Sequence, residues 1–116
     1  MTRTAILCVA TLALLPTFGK MQDVQGRVLV VSGNGARSVA VAAVVTVSCG
    51  EASASSVTDR NGLYRVRAPR PGACTIQVRY SERVSTTVSV NIPYSGLGAN
   101  LELQAWTGGW ILRRVS

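Results

Sequence analysis

The sequence contains no histidine, only five acidic residues and a single lysine, Lys20. Histidine is the commonest zinc ligand in proteins and the usual general base for a serine or cysteine nucleophile. The carboxylates are scattered over predicted turns and strand faces, and no spacing pairs two of them for acid and base work. These absences argue against a zinc peptidase, and the sequence predicts no catalytic residue, metal site or cofactor.

Aromatic residues make up only 5% of the chain, although 47% of it is hydrophobic. The core must therefore be built mainly from Val, Ala, Leu and Ile, and abundant valine favours strands over helices. A chain of 116 residues is long enough for one domain with a modest core.

Residues 1–19 have the composition of a secretory signal peptide: Arg3, an apolar run at residues 5–15, then Pro16 and small residues. The apolar run is well short of the roughly 20 residues that a membrane-spanning helix needs, so a permanent anchor is the weaker alternative. Cleavage is predicted after Gly19, which removes Arg3 and lowers the net charge from +7 to +6. The mature protein is thus expected to be secreted or periplasmic, with no transmembrane segment.

From residue 24 onward, short segments alternate apolar and polar residues and are separated by turns rich in Gly, Pro, Asn and Asp. Alternation with period two is typical of half-buried strands. Strands are predicted at residues 24–31, 41–49, 56–58, 62–68, 74–80, 84–92, 101–104 and 110–115. Residues 24–116 are therefore predicted to form one all-β domain, a seven- or eight-stranded Greek-key sandwich.

The alternation also predicts which side chains are buried. In residues 62–68, Tyr64 and Val66 point inward while Arg65 and Arg67 point outward, and the preceding DRNG is a turn in which Gly62 supplies a positive φ. In residues 84–92 the series that starts at Val84 is predicted to face inward, with Ser85 outward. In residues 101–104 the leucines face inward and Glu102 outward.

Four short motifs occur in a fixed order: GRV at residues 26–28, AVVTV at 43–47, TDRNGLY at 58–64 and PGACTIQV at 71–78. In this order and spacing the chain resembles the carboxypeptidase regulatory-like domain, a transthyretin-like (prealbumin-like) sandwich found in many secreted bacterial proteins. The resemblance implies a non-catalytic accessory or binding module, and it says little about the ligand.

The resemblance also bears on the two cysteines outside the signal peptide, Cys49 and Cys74. In a transthyretin-like topology the strand that ends at Cys49 and the strand that begins at Cys74 are antiparallel neighbours. A disulfide between them is the favoured interpretation in an exported protein, and two buried free thiols are the alternative.

Two groups of side chains are candidates for binding. Arg60, Arg65, Arg67 and Arg70 surround one predicted strand, with Asp59 as the one acid expected near them. They form a candidate anion-binding surface, with a solvated strand edge or a compositional arginine bias as the alternatives. Trp106 and Trp110 flank a TGG turn and either stack against sugars or cover the end of the sandwich.

The function predicted from the sequence is that of a non-enzymatic binding or structural module of the cell envelope. An anionic polysaccharide, another carbohydrate or an envelope protein is the expected partner, and nucleic acid is not expected. A small enzyme with an unrecognised loop-based site is the alternative.

Overall fold

A computed structural model of the chain describes residues 22–116, and the predicted signal peptide lies outside the described residues. Within this part the regular structure consists of eleven strands, eight of them with five or more residues, and no helix is long and apolar enough to cross a membrane. The strands are β1 (Asp23–Val31), β2 (Arg37–Val39), β3 (Val44–Cys49), β4 (Ala52–Val57), β5 (Leu63–Arg67), β6 (Gly72–Tyr80), β7 (Arg83–Val84), β8 (Val88–Ile92), β9 (Leu97–Gly98), β10 (Leu101–Trp106) and β11 (Gly109–Arg114).

The strands form two sheets, which confirms the all-β sandwich. In the first sheet, β1 is central: β5 and β2 pair antiparallel along one edge, β9 and β10 pair parallel along the other, and β11 pairs with β10. In the second sheet the order is β4, β3, β6, with β7 and β8 both beside β6. The chain passes from one sheet to the other four times, so strands that are neighbours in space are often distant in sequence.

The core lies between the sheets and consists mainly of small aliphatic side chains, as the composition predicted. Val24 and Val28 of β1 are fully buried, as are Val45 and Val47 of β3 and Ile76 of β6. Each of these side chains occupies one of the alternate positions of its strand that face inward, as two-residue alternation predicts. Gly26 of β1 is required by a neighbour within its own sheet: a Cβ on Gly26 would collide with the carbonyl oxygen of Ala99, whose N–H donates to the Gln25 carbonyl.

The predicted third strand, at residues 56–58, was wrong in its bounds. The strand is β4, Ala52–Val57, which forms a hairpin with β3 through a tight turn in which Gly50 has φ 67°. The polar GEASASS segment has no large apolar residue, so its composition is typical of a loop. Pairing with β3 and small inward-facing side chains such as Ala54 are sufficient to hold it as a strand.

The strand predicted at residues 84–92 is interrupted in its first half. Val84 belongs to β7 and is exposed, whereas Ser85 is buried, the reverse of the prediction. The Ser85 hydroxyl accepts a hydrogen bond from the Val78 N–H and donates one to the Thr86 carbonyl. The Ser85 N–H still donates to the Val78 carbonyl, but Ser85 bridges to Trp110 of β11 and the Thr86 N–H donates to the Trp110 carbonyl. The alternation therefore resumes in phase only at β8.

The turn and strand at residues 58–67 form as predicted. The Asp59 carboxylate accepts hydrogen bonds from the N–H groups of Asn61 (2.8 Å) and Leu63 (3.0 Å), and Gly62 has φ 77°. Tyr64 is buried, and its hydroxyl donates to the Ala99 carbonyl. The Asp59 hydrogen bonds fix the turn that leads from β4 into β5.

Cys49 and Cys74 form a disulfide, with their Cα atoms 4.4 Å apart. The bridge joins the end of β3 to the start of β6, which are antiparallel neighbours. Both cysteines are buried. Disulfides form and persist in oxidising compartments, so this bond indicates an oxidising environment for the folded protein.

Candidate functional site

The outward surface of the first sheet is rich in arginine, and we refer to it as the arginine face. Residues directly opposite each other on paired strands share a face, so the registers identify its members. Gln25 pairs with Arg65 and Asp23 with Arg67, while Val31 pairs with Arg37 and Glu102 with Arg113. The arginines of this face are Arg27, Arg37, Arg65, Arg67 and Arg113.

Asp23 lies between two of these arginines. Its carboxylate oxygens are 3.5 Å from the Arg65 Nε and 3.6 Å from the Arg67 Nε. The expectation that Asp59 is the one acid near these arginines was wrong, because Asp23 is 42 and 44 residues earlier in the chain and reaches them through the pairing of β1 with β5. Arg65 also donates to the Gln25 side chain.

Glu102 is the second acid on the face: it points outward as predicted, and it is nevertheless buried. It is only 5% exposed because Arg37 and Arg113 lie over it, with nitrogen to oxygen distances of 2.8 and 3.2 Å. The hydrogen bond from Arg37, and then that from Arg113, lower the pKa of the Glu102 carboxyl against the opposing effect of burial. Glu102 therefore stays ionised and holds both guanidinium groups in place.

The face carries more positive than negative charge. Five arginines stand against two carboxylates, which leaves three positive charges, and Arg27 forms no ion pair with any of the described residues.

The outward surface of the second sheet has a different composition. Its central positions carry hydroxyl and amide side chains: Thr46, Ser48, Ser53, Ser55, Thr75, Gln77 and Ser89. Arg79 is the arginine at an outward strand position of the second sheet, so arginine is concentrated on the first sheet.

The four arginines singled out in the sequence do not form one cluster. Arg65 and Arg67 lie side by side on the arginine face. Arg60 stands in the turn beyond one end of β5, next to Asp59, whose pKa is lowered mainly by its backbone hydrogen bond from Leu63 and only slightly by Arg60. Arg70 lies beyond the other end, near Gly50 in the turn of the second sheet.

Three members of the face were missed from the sequence: Arg27, Arg37 and Arg113. Alternation within β1 places Arg27 outward, so that arginine could have been found from the pattern alone. Arg37 and Arg113 join the face only because β2 and β11 lie on either side of β1 and β10. The spacing of residues along the sequence does not reveal this order of strands in the sheet.

Two depressions adjoin the arginine face. One has a volume of about 790 Å³ and is lined by Gln25, Leu63 and Arg65 of the face, by Asp59 and Asn100, and by Val57 of β4 in the second sheet. The other, of about 370 Å³, shares Leu63 and Asn100 with the first and adds Arg27, Leu29 and Val115. Gly98 lies beside Gln25 in the register and leaves the space open. The depressions combine cationic, amide and aliphatic side chains.

The two tryptophans have different environments. Trp110 is 7% exposed, its indole N–H donates to the Tyr80 carbonyl (2.8 Å), and the Arg83 guanidinium lies 5.1 Å from its ring centre. Trp106 is 48% exposed, with its ring over Gly108. Trp110 thus covers the end of the sandwich, and of the two rings only that of Trp106 has a large open surface for stacking.

Asp23, Asp59, Tyr64 and Glu102 are engaged in structural contacts. Asp59 holds a turn, Asp23 and Glu102 hold arginines, and burial raises the pKa of the Tyr64 hydroxyl. Among residues 22–116 no group of three or more His, Cys, Asp or Glu side chains could hold a metal ion. The arrangement is suited to binding anionic groups.

No protein-family model matches the chain, and no curated protein matches it. A function for the domain therefore has to be inferred from its fold and from the geometry of the arginine face.

Proposed function

We propose that the domain is a non-enzymatic binding module of the cell envelope or the cell exterior, and that its arginine face binds an anionic partner. The observation that carries this proposal is the uneven distribution of charge. The arginine face has five arginines and two carboxylates, whereas the outward surface of the second sheet has mainly hydroxyl and amide groups and, among the described residues, one arginine, Arg79. A cationic surface raises the local concentration of anionic partners and speeds their association.

The location outside the cytoplasm rests on two observations. The Cys49–Cys74 disulfide favours an oxidising compartment, and the sequence predicts a signal peptide over residues 1–19. The antiparallel pairing of β3 with β6 agrees with the neighbour relation that the carboxypeptidase regulatory-like resemblance implied. It supports the role of an accessory domain, in which ligands bind to a surface built on a rigid scaffold.

The two acids on the face support binding rather than weaken it. Long arginine side chains usually sample many rotamers in solution, and holding them in one arrangement costs conformational entropy. Asp23 and Glu102 already hold four of the guanidinium groups. A ligand with regularly spaced negative charges thus meets donors that are largely in position before it binds.

The proposal is tested by measuring binding of the mature domain to an acidic polysaccharide, polygalacturonate, and to neutral dextran across a salt series. We expect saturable binding to the polyanion alone, weakening as salt screens charges beyond about 8 Å at physiological ionic strength. The double variant Arg27→Gln, Arg65→Gln should bind more weakly, because it removes two charges and leaves the Arg67–Asp23 pair intact.

The matched control is Arg70→Gln with Arg79→Gln, which changes the net charge equally but away from the face, at a turn and on the second sheet. The control should bind like the unmodified protein. If both pairs of substitutions weakened binding equally, binding would depend on the overall charge and not on the arginine face. Turnover of an ester, glycoside or peptide would indicate an enzyme instead.

A further inference from the structure

We infer that the anionic partner of the arginine face is a lipid membrane surface. This inference rests on the proposed function, since it names the partner of the same face. It is motivated by the exposed apolar side chains that share the face with the arginines. Charge alone would suit any polyanion, but aliphatic and indole groups at the surface need a partner that removes them from water.

The apolar side chains are distributed across the whole sheet. Leu63 on β5 is 41% exposed, Ile111 on β11 is 39% exposed, and Val115 just after β11 is 45% exposed. Leu29 and Val31 of β1 are half-buried between them. Trp106 continues the outward series of Glu102 and Gln104 on β10, so its ring lies at the end of the same face.

Trp106 is held by its surroundings. The Arg83 guanidinium donates to the carbonyls of Trp106 (2.7 Å) and Gly109 (2.8 Å), on the two sides of the β10–β11 turn. A Cβ on Gly108 would lie 2.9 Å from the Trp106 ring, so the indole lies close against the turn. The backbone that carries the exposed indole is thus held in place before a partner binds, which lowers the cost of ordering it.

The combination of groups matches the membrane interface better than it matches a polysaccharide. At that interface arginine reaches phosphate groups while its methylene stem lies against apolar material. Tryptophan is enriched at the level of the headgroups, and aliphatic side chains enter the boundary with the acyl chains. Hydrated polysaccharide chains would satisfy the arginines but would leave Leu63, Ile111 and Val115 largely in water.

The outward surface of the second sheet differs in composition from the arginine face. On β3, β4 and β6 most outward positions are Ser, Thr and Gln, and the Thr46 and Ser55 hydroxyls lie 2.7 Å apart. A row at one end of this sheet differs and contains Val57 (59% exposed), Val44, Arg79 and Val84 (50% exposed). A domain that rested on lipid through the first sheet would keep the hydroxyl-rich part of the second sheet toward the water.

The test is sedimentation of the mature domain with vesicles of phosphatidylglycerol and phosphatidylcholine, beside vesicles of phosphatidylcholine alone. We expect binding to the anionic vesicles only. Each arginine near an anionic bilayer contributes roughly 1 kcal/mol, so Arg27→Gln with Arg65→Gln should weaken binding by about thirtyfold. Trp106→Ala with Ile111→Ser should weaken it by about tenfold, through lost apolar burial.

Two controls show whether the apolar groups of this face, rather than any exposed apolar group, enter the lipid. Val41→Ser removes an equally exposed apolar side chain from the turn between β2 and β3 and should leave vesicle binding unchanged. Brominated lipid should quench the fluorescence of the unmodified protein, and Trp106→Phe should bind but lose the quenched component, because Trp110 is buried. Urea midpoints of all variants establish that they are folded.

The outcomes are distinguishable. If the apolar variant binds vesicles as well as the unmodified protein does, and no quenching occurs, the lipid partner is overturned. Undiminished binding to polygalacturonate in that case would leave the proposed anionic face standing. If neither anionic vesicles nor polygalacturonate bind, both the inference and the proposed function fail.

Discussion

The Glu102 carboxylate lies 2.8 Å from the Arg37 Nε, although 65 residues separate the two in the chain. They meet because β1 stands between β2 and β10, so that the first residue of β2 and the second residue of β10 lie on the same face across β1. Arg113 completes the arrangement from β11. The fold thus gathers a buried acid and two partly exposed arginines from three separate segments.

Replacement of Glu102 by Gln should destabilise the domain at neutral pH and change its response to acid. The ion pairs lower the pKa of Glu102 in the folded state, so its contribution to stability is fully present above the ordinary value of 4.5 and is lost as pH falls through the lower folded-state pKa. The difference in free energy of unfolding between the two proteins should therefore shrink in acid. Urea titrations at neutral pH and near pH 3 measure it, with Glu82→Gln as the exposed control.

A difference that stayed constant from neutral pH into acid would contradict this role of Glu102. It would mean that the glutamine disturbs packing and that the ion pairs with Arg37 and Arg113 contribute little.

Removal of the disulfide through Cys49→Ala with Cys74→Ala should lower the free energy of unfolding by about 3 kcal/mol. The bond closes a loop of 25 residues, and its loss enlarges the unfolded ensemble. Urea denaturation of the variant, and of the unmodified protein with and without reductant, tests this. Labelling of two thiols in the folded, oxidised protein would show that the bond does not form.

Replacement of Thr58 by Val should cost about 1–3 kcal/mol, because it leaves buried backbone groups without partners. The Thr58 hydroxyl donates to the Ala40 carbonyl (2.6 Å) and accepts from the Ala43 N–H (2.8 Å), which ties the entry of β3 to the end of β4. Thr58→Ser keeps the hydroxyl and should lose much less stability. Equal urea midpoints for the two variants would show that these bonds contribute little.

Replacement of Tyr64 by Phe should lower the free energy of unfolding by about 1 kcal/mol at neutral pH, through loss of the hydrogen bond to Ala99. Burial raises the pKa of the Tyr64 hydroxyl. This hydroxyl therefore contributes to the free energy of unfolding below pH 10, and the contribution is lost as pH rises further. The variant should lack that alkaline loss. Urea titrations at pH 7 and near pH 11, with the exposed control Tyr94→Phe, measure both effects.

A steeper alkaline loss in Tyr64→Phe than in the unmodified protein would contradict the prediction. It would mean that another ionisable group causes the loss of stability at high pH.

Local features were predictable wherever they depend on neighbours in the chain. The DRNG turn follows from Asp59 accepting bonds from residues two and four positions on, and from Gly62 taking a positive φ. The inward direction of Tyr64 and the outward direction of Arg65 follow from two-residue alternation alone. The prediction failed at Ser85 because its hydroxyl accepts the Val78 N–H and residues 85 and 86 bridge to Trp110 of the other sheet, a long-range contact that alternation does not reveal.

The sequence by itself determined the strand-forming character of the chain, the aliphatic core and the position of its main turns, because these depend on residue periodicity and turn chemistry. Only the tertiary structure decided the arginine face. Arg37, Arg65 and Arg113 come from three strands whose order depends on how the two sheets pack and where the chain crosses between them. The burial of Glu102 was decided in the same way, since a solvated position on one strand becomes enclosed when arginines of two other strands close over it.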